Sequence, residues 1–180
     1  MSKIGRKPID IGNVQMEIKG QEIHYKGPKA SGVYVLPVSL SAQLNGKNLT
    51  IAPVKRAHAF NAAWGLHRAL LANKIQGASV GFEHLLEITG LGYKAVPTGR
   101  KVVFTLGHSH KIDYELPEGI TLEADKTGQK LSVKGTDKEL LGHVCSVIKQ
   151  FKPTEPYKGT GIKTVGEIIQ RKAGKTKASA

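Results

Sequence analysis

Apolar and polar residues alternate through the first third of the chain, and this period of two predicts short, half-buried strands. Gln15-Met16-Glu17-Ile18-Lys19 and Glu22-Ile23-His24-Tyr25-Lys26 both follow it, with Gly20-Gln21 between them as a tight hairpin turn. Val33 to Leu36 reads as another strand, and so do Val38 to Leu44 and Asn48 to Ile51, the last two joined by the hairpin dipeptide Asn45-Gly46. The period then lengthens. From Lys55 to Lys74, Phe60, Ala63, Trp64, Leu70, Leu71 and Ile75 recur at three and four, as on one face of a helix, and Gly77 is expected to end it.

The same order follows a second time. Strands are predicted at Leu85–Thr89, Tyr93–Val96, Lys101–Leu106, Ile112–Leu116, Ile120–Ala124 and Lys130–Val133. A helix then opens at Thr136, with Glu139 at capping-box spacing, and runs to Phe151 with Leu140, Leu141, Val144, Val147 and Ile148 on its buried side. Val38–Ile51 aligns without a gap on Ile120–Val133, pairing Leu40 with Leu122, Ala42 with Ala124, Gly46 with Gly128 and Leu49 with Leu131. Chance likeness between hairpins accounts for part of this match; duplication accounts for all of it. The reading is an α+β chain of two similar domains, 1–81 and 82–152, each a small antiparallel sheet packed against one helix, followed by a basic tail, 153–180.

Charge changes the picture most. The net charge is +13, and residues 149–180 carry eight basic against two acidic side chains, or +6 of that total. Within this stretch Pro153 and Pro156 oppose helix, Gly159 and Gly161 permit turns, and Tyr157 is the one aromatic ring after Phe151. An extended, turning, cationic segment suits a phosphate backbone, which assigns RNA contacts to Lys149, Lys152, Tyr157, Lys158, Gly159, Gly161, Lys163, Arg171, Lys172, Lys175 and Lys177. A solvated tail that only confers solubility is the competing reading. On the first reading, removing Gly161–Ala180 weakens RNA binding and leaves both domains folded.

Other chemistry is thin. Cys145 is the single cysteine, so no intrachain disulfide forms, and a reducing, cytosolic setting is expected. No apolar run is long enough to span a bilayer, and the opening Met1–Pro8 lacks the apolar core of a signal peptide. Gly90-Leu91-Gly92-Tyr93-Lys94-Ala95 matches a dinucleotide-binding turn in spacing, but Pro97 forbids the helix that must follow. Gly174-Lys175-Thr176 lacks the earlier glycine and the strand of a phosphate loop. His108 and His110, at strand spacing, point to one face; RNA contact and an ordinary exposed strand are both open there, whereas metal binding lacks ligands. His143 and Cys145 face different ways on a helix, Trp64 belongs to the core, and Tyr157 is left to stack or pack against a partner. No catalytic grouping, metal site or cofactor site emerges.

The motifs Leu91-Gly92-Tyr93-Lys94-Ala95, Leu106-Gly107-His108-Ser109-His110, Gly135-Thr136-Asp137-Lys138 and Pro156–Ile162 resemble those of the ribosomal protein six family of the bacterial large subunit. Ser2–Ile9 and Gly65–Asn73 are similar as well, so the likeness runs nearly end to end. It implies two α+β domains and a structural, non-enzymatic, cytoplasmic, ribosome-bound role. The partners it implies are large-subunit ribosomal RNA near the sarcin–ricin loop and translation-factor site, and neighbouring large-subunit proteins, with no membrane and no small-molecule substrate. It also places the main RNA contacts in the carboxy-terminal domain and tail, adding Lys94, Ser109 and His110 to the candidates. Two departures stand out: Thr160 replaces a lysine between the tail glycines, and Asn73-Lys74-Ile75 replaces Asn-Met-Val. An RNA-modifying enzyme and an architectural DNA binder are the rival readings.

Overall fold

β-branched and aromatic residues alternating with charged ones fold the first part of the chain as six short strands ahead of one helix. They are β1 (Ile9–Asp10), β2 (Gln15–Lys19), β3 (Glu22–Lys26), β4 (Ser31–Val35), β5 (Leu40–Asn45), β6 (Asn48–Pro53) and α1 (Phe60–Ser79). A second series follows: β7 (Phe82–Thr89), β8 (Lys94–Thr98), β9 (Lys101–Thr105), β10 (Ile112–Glu115), β11 (Ile120–Ala124), β12 (Lys130–Gly135), α2 (Lys138–Phe151) and β13 (Gly161–Thr164). The structure, a computed structural model, describes residues 2–54 and 60–174. It divides into two units, Met1–Phe82 with Thr136–Lys138, and Glu83–Gly135 with Glu139–Ala180.

The class is α+β, and each unit holds two sheets rather than one. In the first unit they are the meander β2-β3-β4 and the sheet β1-β6-β5; in the second they are β8-β9-β10 and β11-β12-β7-β13. The core of the first unit gathers Ile9, Ile23, Leu36, Leu40, Leu49, Ile51, Trp64, Leu71 and Ile75. Trp64 is core as expected, with its indole N–H donating to the carbonyl of Ile51 at 2.7 Å. Leu141, Val144, Cys145 and Ile148 form the buried stripe of α2. Phe151 at its end meets Phe104 and Tyr114, ring centres 5.5 and 5.6 Å away.

The predicted start of α1 at Lys55 lies outside the described residues, and its end differs from expectation. The helix continues through Gly77 to Ser79, and Gly81 at φ 81° closes it, its amide donating to the Gln76 carbonyl. Gly77 serves close approach instead: a Cβ there would lie 2.0 Å from the carbonyl oxygen of Thr136. In the same unit Lys74 Nζ is 2.5 Å from the Asp137 carboxylate and Ile75 is buried, so the departure from the family pattern brings its own ion pair.

The two hairpins that match in sequence also match in ladder register, but not by the ungapped alignment. Leu40 pairs with Pro53, and Ile120 with Gly135. Leu40 to Ile120 is 80 residues and Pro53 to Gly135 is 82, so the turn of the second hairpin is two residues longer. Leu40 is therefore the counterpart of Ile120, not Leu122. Both follow a proline whose carbonyl accepts their amide proton, Pro37 and Pro117.

The stretch set apart above as a tail is not separate from the second unit. Gly161–Thr164 forms β13, antiparallel to β7 with Ile162 opposite Ile88 and Lys163 opposite Glu87. Ile162 is 1% exposed, and its amide also anchors on the Lys152 carbonyl at 2.9 Å. Removing Gly161–Ala180 thus strips an edge strand and a core side chain, which runs against the expectation that both domains stay folded without it.

Ile162→Ala is expected to destabilise the second unit by about 2–5 kcal/mol, the usual cost of emptying such a site. Urea unfolding reads this directly. A chain cut before Gly161 that kept the full-length midpoint would contradict the strand's role.

Candidate nucleic-acid interface

Between α2 and β13 the chain cannot continue as helix, because Pro153 and Pro156 each lack an amide proton. It folds instead into a closed loop. The amide of Glu155 donates to the Thr160 carbonyl at 2.8 Å, that of Gly159 to the Glu155 carbonyl at 2.9 Å, and that of Lys172 to the Pro156 carbonyl at 3.0 Å. Gly161, at φ 136°, makes the neck possible: a Cβ would lie 2.6 Å from the Pro153 carbonyl oxygen. The glycine required at the base of this loop is explained by packing inside the protein. The Thr160 hydroxyl, where the family has lysine, sits 3.4 Å from the Glu155 carboxylate.

The loop faces a recess of about 650 Å³ lined by Leu91, Tyr93, Lys152, Pro153, Glu155, Lys158 and Thr160. Leu91 stands wholly exposed between Gly90 and Gly92, and Tyr157, on the loop itself, is 56% exposed. Leu106–His110, predicted partly as strand, is a bend that turns at Gly107 (φ 72°). The rings of His108 and His110 nevertheless lie together, stacked with centres 6.0 Å apart, and His108 Nε2 is 3.4 Å from the Phe151 carbonyl. Ser109 is exposed beside them.

The predicted cations separate into two groups. Lys149 Nζ is 2.7 Å from Glu167, whose carboxylate also accepts the Thr164 amide at 2.9 Å; Lys163 Nζ is 3.1 Å from Glu87. These two lysines already hold β13 and the residues after it in place. Lys94, Lys152, Lys158, Arg171 and Lys172 form no ion pair among the described residues. Of these, Lys152 and Lys158 line the same recess, and the Arg171 guanidinium lies over Gly159. Lys94 is placed apart, beside the turn at Gly128. Lys175 and Lys177 fall outside the described residues. Leu91 and Tyr93 were missed as surface residues; the paired glycines around Leu91 were the available signal, since they mark a turn that holds an apolar side chain in solvent.

Among the described residues no group of three His, Cys, Asp or Glu side chains could hold a metal ion, and no helix is long and apolar enough to cross a membrane. The chemistry on offer is therefore cationic and aromatic, arranged around an open recess.

Comparison with known proteins bears on this arrangement. A family profile described as Ribosomal protein L6 matches residues 89–165. The chain is 40% identical to large ribosomal subunit protein uL6 of Beijerinckia indica over 178 residues, which is 98% of this chain and 100% of that protein. It is 42% identical to the protein of the same name from Syntrophomonas wolfei over 176 residues, 97% of this chain and 98% of that one. The uL6 of Azorhizobium caulinodans is also 42% identical, over 98% of this chain.

The Lys149 ammonium and then the Thr164 amide hold the Glu167 carboxyl below its ordinary value. A group lowered in the fold stabilises it above the unfolded-state value, and that contribution is lost as pH falls through the lowered one. A carboxyl-carbon NMR titration is expected to give Glu167 a midpoint below that of an ordinary glutamate, and Lys149→Met is expected to raise it. A midpoint unmoved by the substitution would contradict the assigned cause.

Proposed function

The chain belongs to the uL6 family of large ribosomal subunit proteins, a structural and non-enzymatic family, and from that membership we propose that it binds large-subunit ribosomal RNA through its second unit. The observation that carries the proposal is the recess framed by Lys152 and Lys158, two cations that form no ion pair among the described residues, with the exposed Leu91 on its lining and the exposed Tyr157 on the same loop. Lysine and arginine neutralise phosphates and release counterions, while exposed rings offer faces to unstacked bases. Lys152, Tyr157, Lys158, Arg171 and Lys172 are assigned to the primary contact. Ser109 and His110 on the bend at Gly107, and Lys94 apart beside the turn at Gly128, are assigned as additional contacts; Gly159 and Gly161 give the loop its shape, and Lys149 and Lys163 act mainly by bracing it. Lys175 and Lys177 extend the basic run. The position near the sarcin–ricin loop and the translation-factor site rests on the family resemblance alone, as do contacts with neighbouring large-subunit proteins and a cytoplasmic location.

The recess is supported by a hydrogen-bonded loop built into a sheet, so the RNA meets a surface already shaped. Little backbone ordering is then charged against binding. This is the difference from a flexible basic tail, which gives affinity but poor geometric selection.

The full chain and its Lys152→Gln/Lys158→Gln/Arg171→Gln variant are to be titrated with a transcribed large-subunit RNA fragment containing the sarcin–ricin loop, across a range of salt. Removing three phosphate contacts is expected to reduce the slope of log affinity against log salt by about 2–3. An unchanged slope, or equal competition by duplex DNA, would contradict the assignment.

A further inference from the structure

The basic character of the chain does not reside in its carboxy-terminal part alone. Residues 1–82 hold eleven basic and three acidic side chains, a net +8, whereas residues 83–148 hold eight basic and nine acidic, a net −1. With +6 from residues 149–180, the positive charge is concentrated in the first unit and at the far end of the chain. A single RNA-binding surface in the second unit leaves the larger share of that charge without a role.

The densest part of it lies at the start. Lys3, Arg6 and Lys7 fall within five residues, all three exposed, and Asp10 is the only acidic residue before Glu17. The Asp10 carboxylate accepts the amide of Gly12 at 3.0 Å. Lys3 and Lys7 form no ion pair among the described residues. Three like charges so close repel one another, and a free chain would relieve the repulsion by fraying. This segment is held instead.

Several contacts fasten it to α1. The Gly5 amide donates to the Ser2 hydroxyl at 3.1 Å, and the Lys7 amide donates to the Ile4 carbonyl at 3.2 Å, which closes a turn. Gly5 lies so close over Trp64 that a Cβ would come 2.5 Å from the indole ring. Arg68 then clips the exit of the turn, its guanidinium donating to the carbonyls of Lys7 at 3.1 Å and Pro8 at 2.9 Å. These contacts use backbone atoms, the Ser2 hydroxyl, the Arg68 guanidinium and the face of the core tryptophan. The ammonium groups of Lys3 and Lys7 take no part in holding the turn, so the fold orders their backbone and leaves the charges to solvent.

Ordered backbone with clustered, outward-lying cations is the arrangement that binds phosphate at low entropic cost, with lysine as a point charge and arginine as a two-pronged donor. We propose that the clipped turn Ser2–Pro8 is a second RNA phosphate-binding site, carried by the first unit and using Lys3, Arg6 and Lys7. The proposal rests on the RNA-binding reading of the second unit, since a chain that bound no RNA would have no use for it. Arg68 and Trp64 are positioning residues here.

Four full-length proteins separate the two claims: wild type, the loop variant Lys152→Gln/Lys158→Gln/Arg171→Gln, the turn variant Lys3→Gln/Arg6→Gln/Lys7→Gln, and the combination. The same transcribed RNA fragment serves as probe, and thermal unfolding checks that each protein is folded. The turn variant is expected to lower the salt slope by about 2–3, with the combined variant losing the sum of both changes. A Lys3→Arg/Lys7→Arg protein is expected to keep the wild-type slope. If the loop variant loses slope and the turn variant does not, the second site is refuted and the first stands; if neither loses slope, both fall. Acetylation footprinting of the unaltered protein gives an independent reading. Lys3 and Lys7 are expected to be shielded when RNA is bound, and undiminished modification would overturn the proposal.

Discussion

The pairing of β13 with β7 is the constraint on which the candidate interface depends. It places Ile162 in the core, sets Lys163 against Glu87 and brings the chain back past Lys152, so that residues 152–161 run from the end of α2 to β13 and are closed where the Ile162 amide meets the Lys152 carbonyl. A loop with fixed ends has fewer conformations to lose, and its internal bonds at Glu155 and Gly159 become worth forming. Without the strand, the same prolines, glycines and lysines would be a flexible cationic segment. With it, they frame a recess.

This division of labour explains which lysines are paired. Lys149 and Lys163 are tied to Glu167 and Glu87, and these two carboxylates brace the strand and the turn beyond it. Exposed pairs of this kind contribute little free energy each, on the order of 0–1 kcal/mol, but they fix direction. Lys152 and Lys158, by contrast, lie where the loop folds back on itself, next to the single carboxylate of Glu155. Counting charge along the chain treats all of these lysines alike; the sheet distinguishes them. The first unit shows the same economy, with Arg68 spent on the backbone of the amino-terminal turn and Lys3 and Lys7 left outside it.

Much of the architecture was legible because it rests on local patterns. The period of two in Glu22–Lys26, the Asn45-Gly46 turn and the apolar stripe of Leu141, Val144 and Ile148 each specify their element without help from distant residues. The failures are tertiary. β13 has four residues, two of them Gly161 and Lys163, and becomes a strand only because β7 offers an open edge and the core a place for Ile162. β1 is just Ile9–Asp10, below any pattern's reach. Gly77 looked like a helix stop because glycine usually is one, yet here it admits the backbone of Thr136. His108 and His110 share a face as foreseen, but through a bend at Gly107 and not through strand geometry. Of the candidate site, the residue types were readable and the pairing was not, since Glu87 and Glu167 lie 76 and 18 residues from the lysines they restrain.

The central claim is that the basic loop is already built in the free protein. Amide hydrogen exchange resolved by NMR tests it most directly, at Glu155, Gly159, Ile162 and Lys172, whose N–H groups bond to Thr160, Glu155, Lys152 and Pro156. In the absence of RNA, Ile162 is expected to exchange as slowly as core strand amides, and the other three measurably more slowly than an unstructured chain. Exchange of all four at unstructured-chain rates, with protection arising only when RNA is added, would contradict the account.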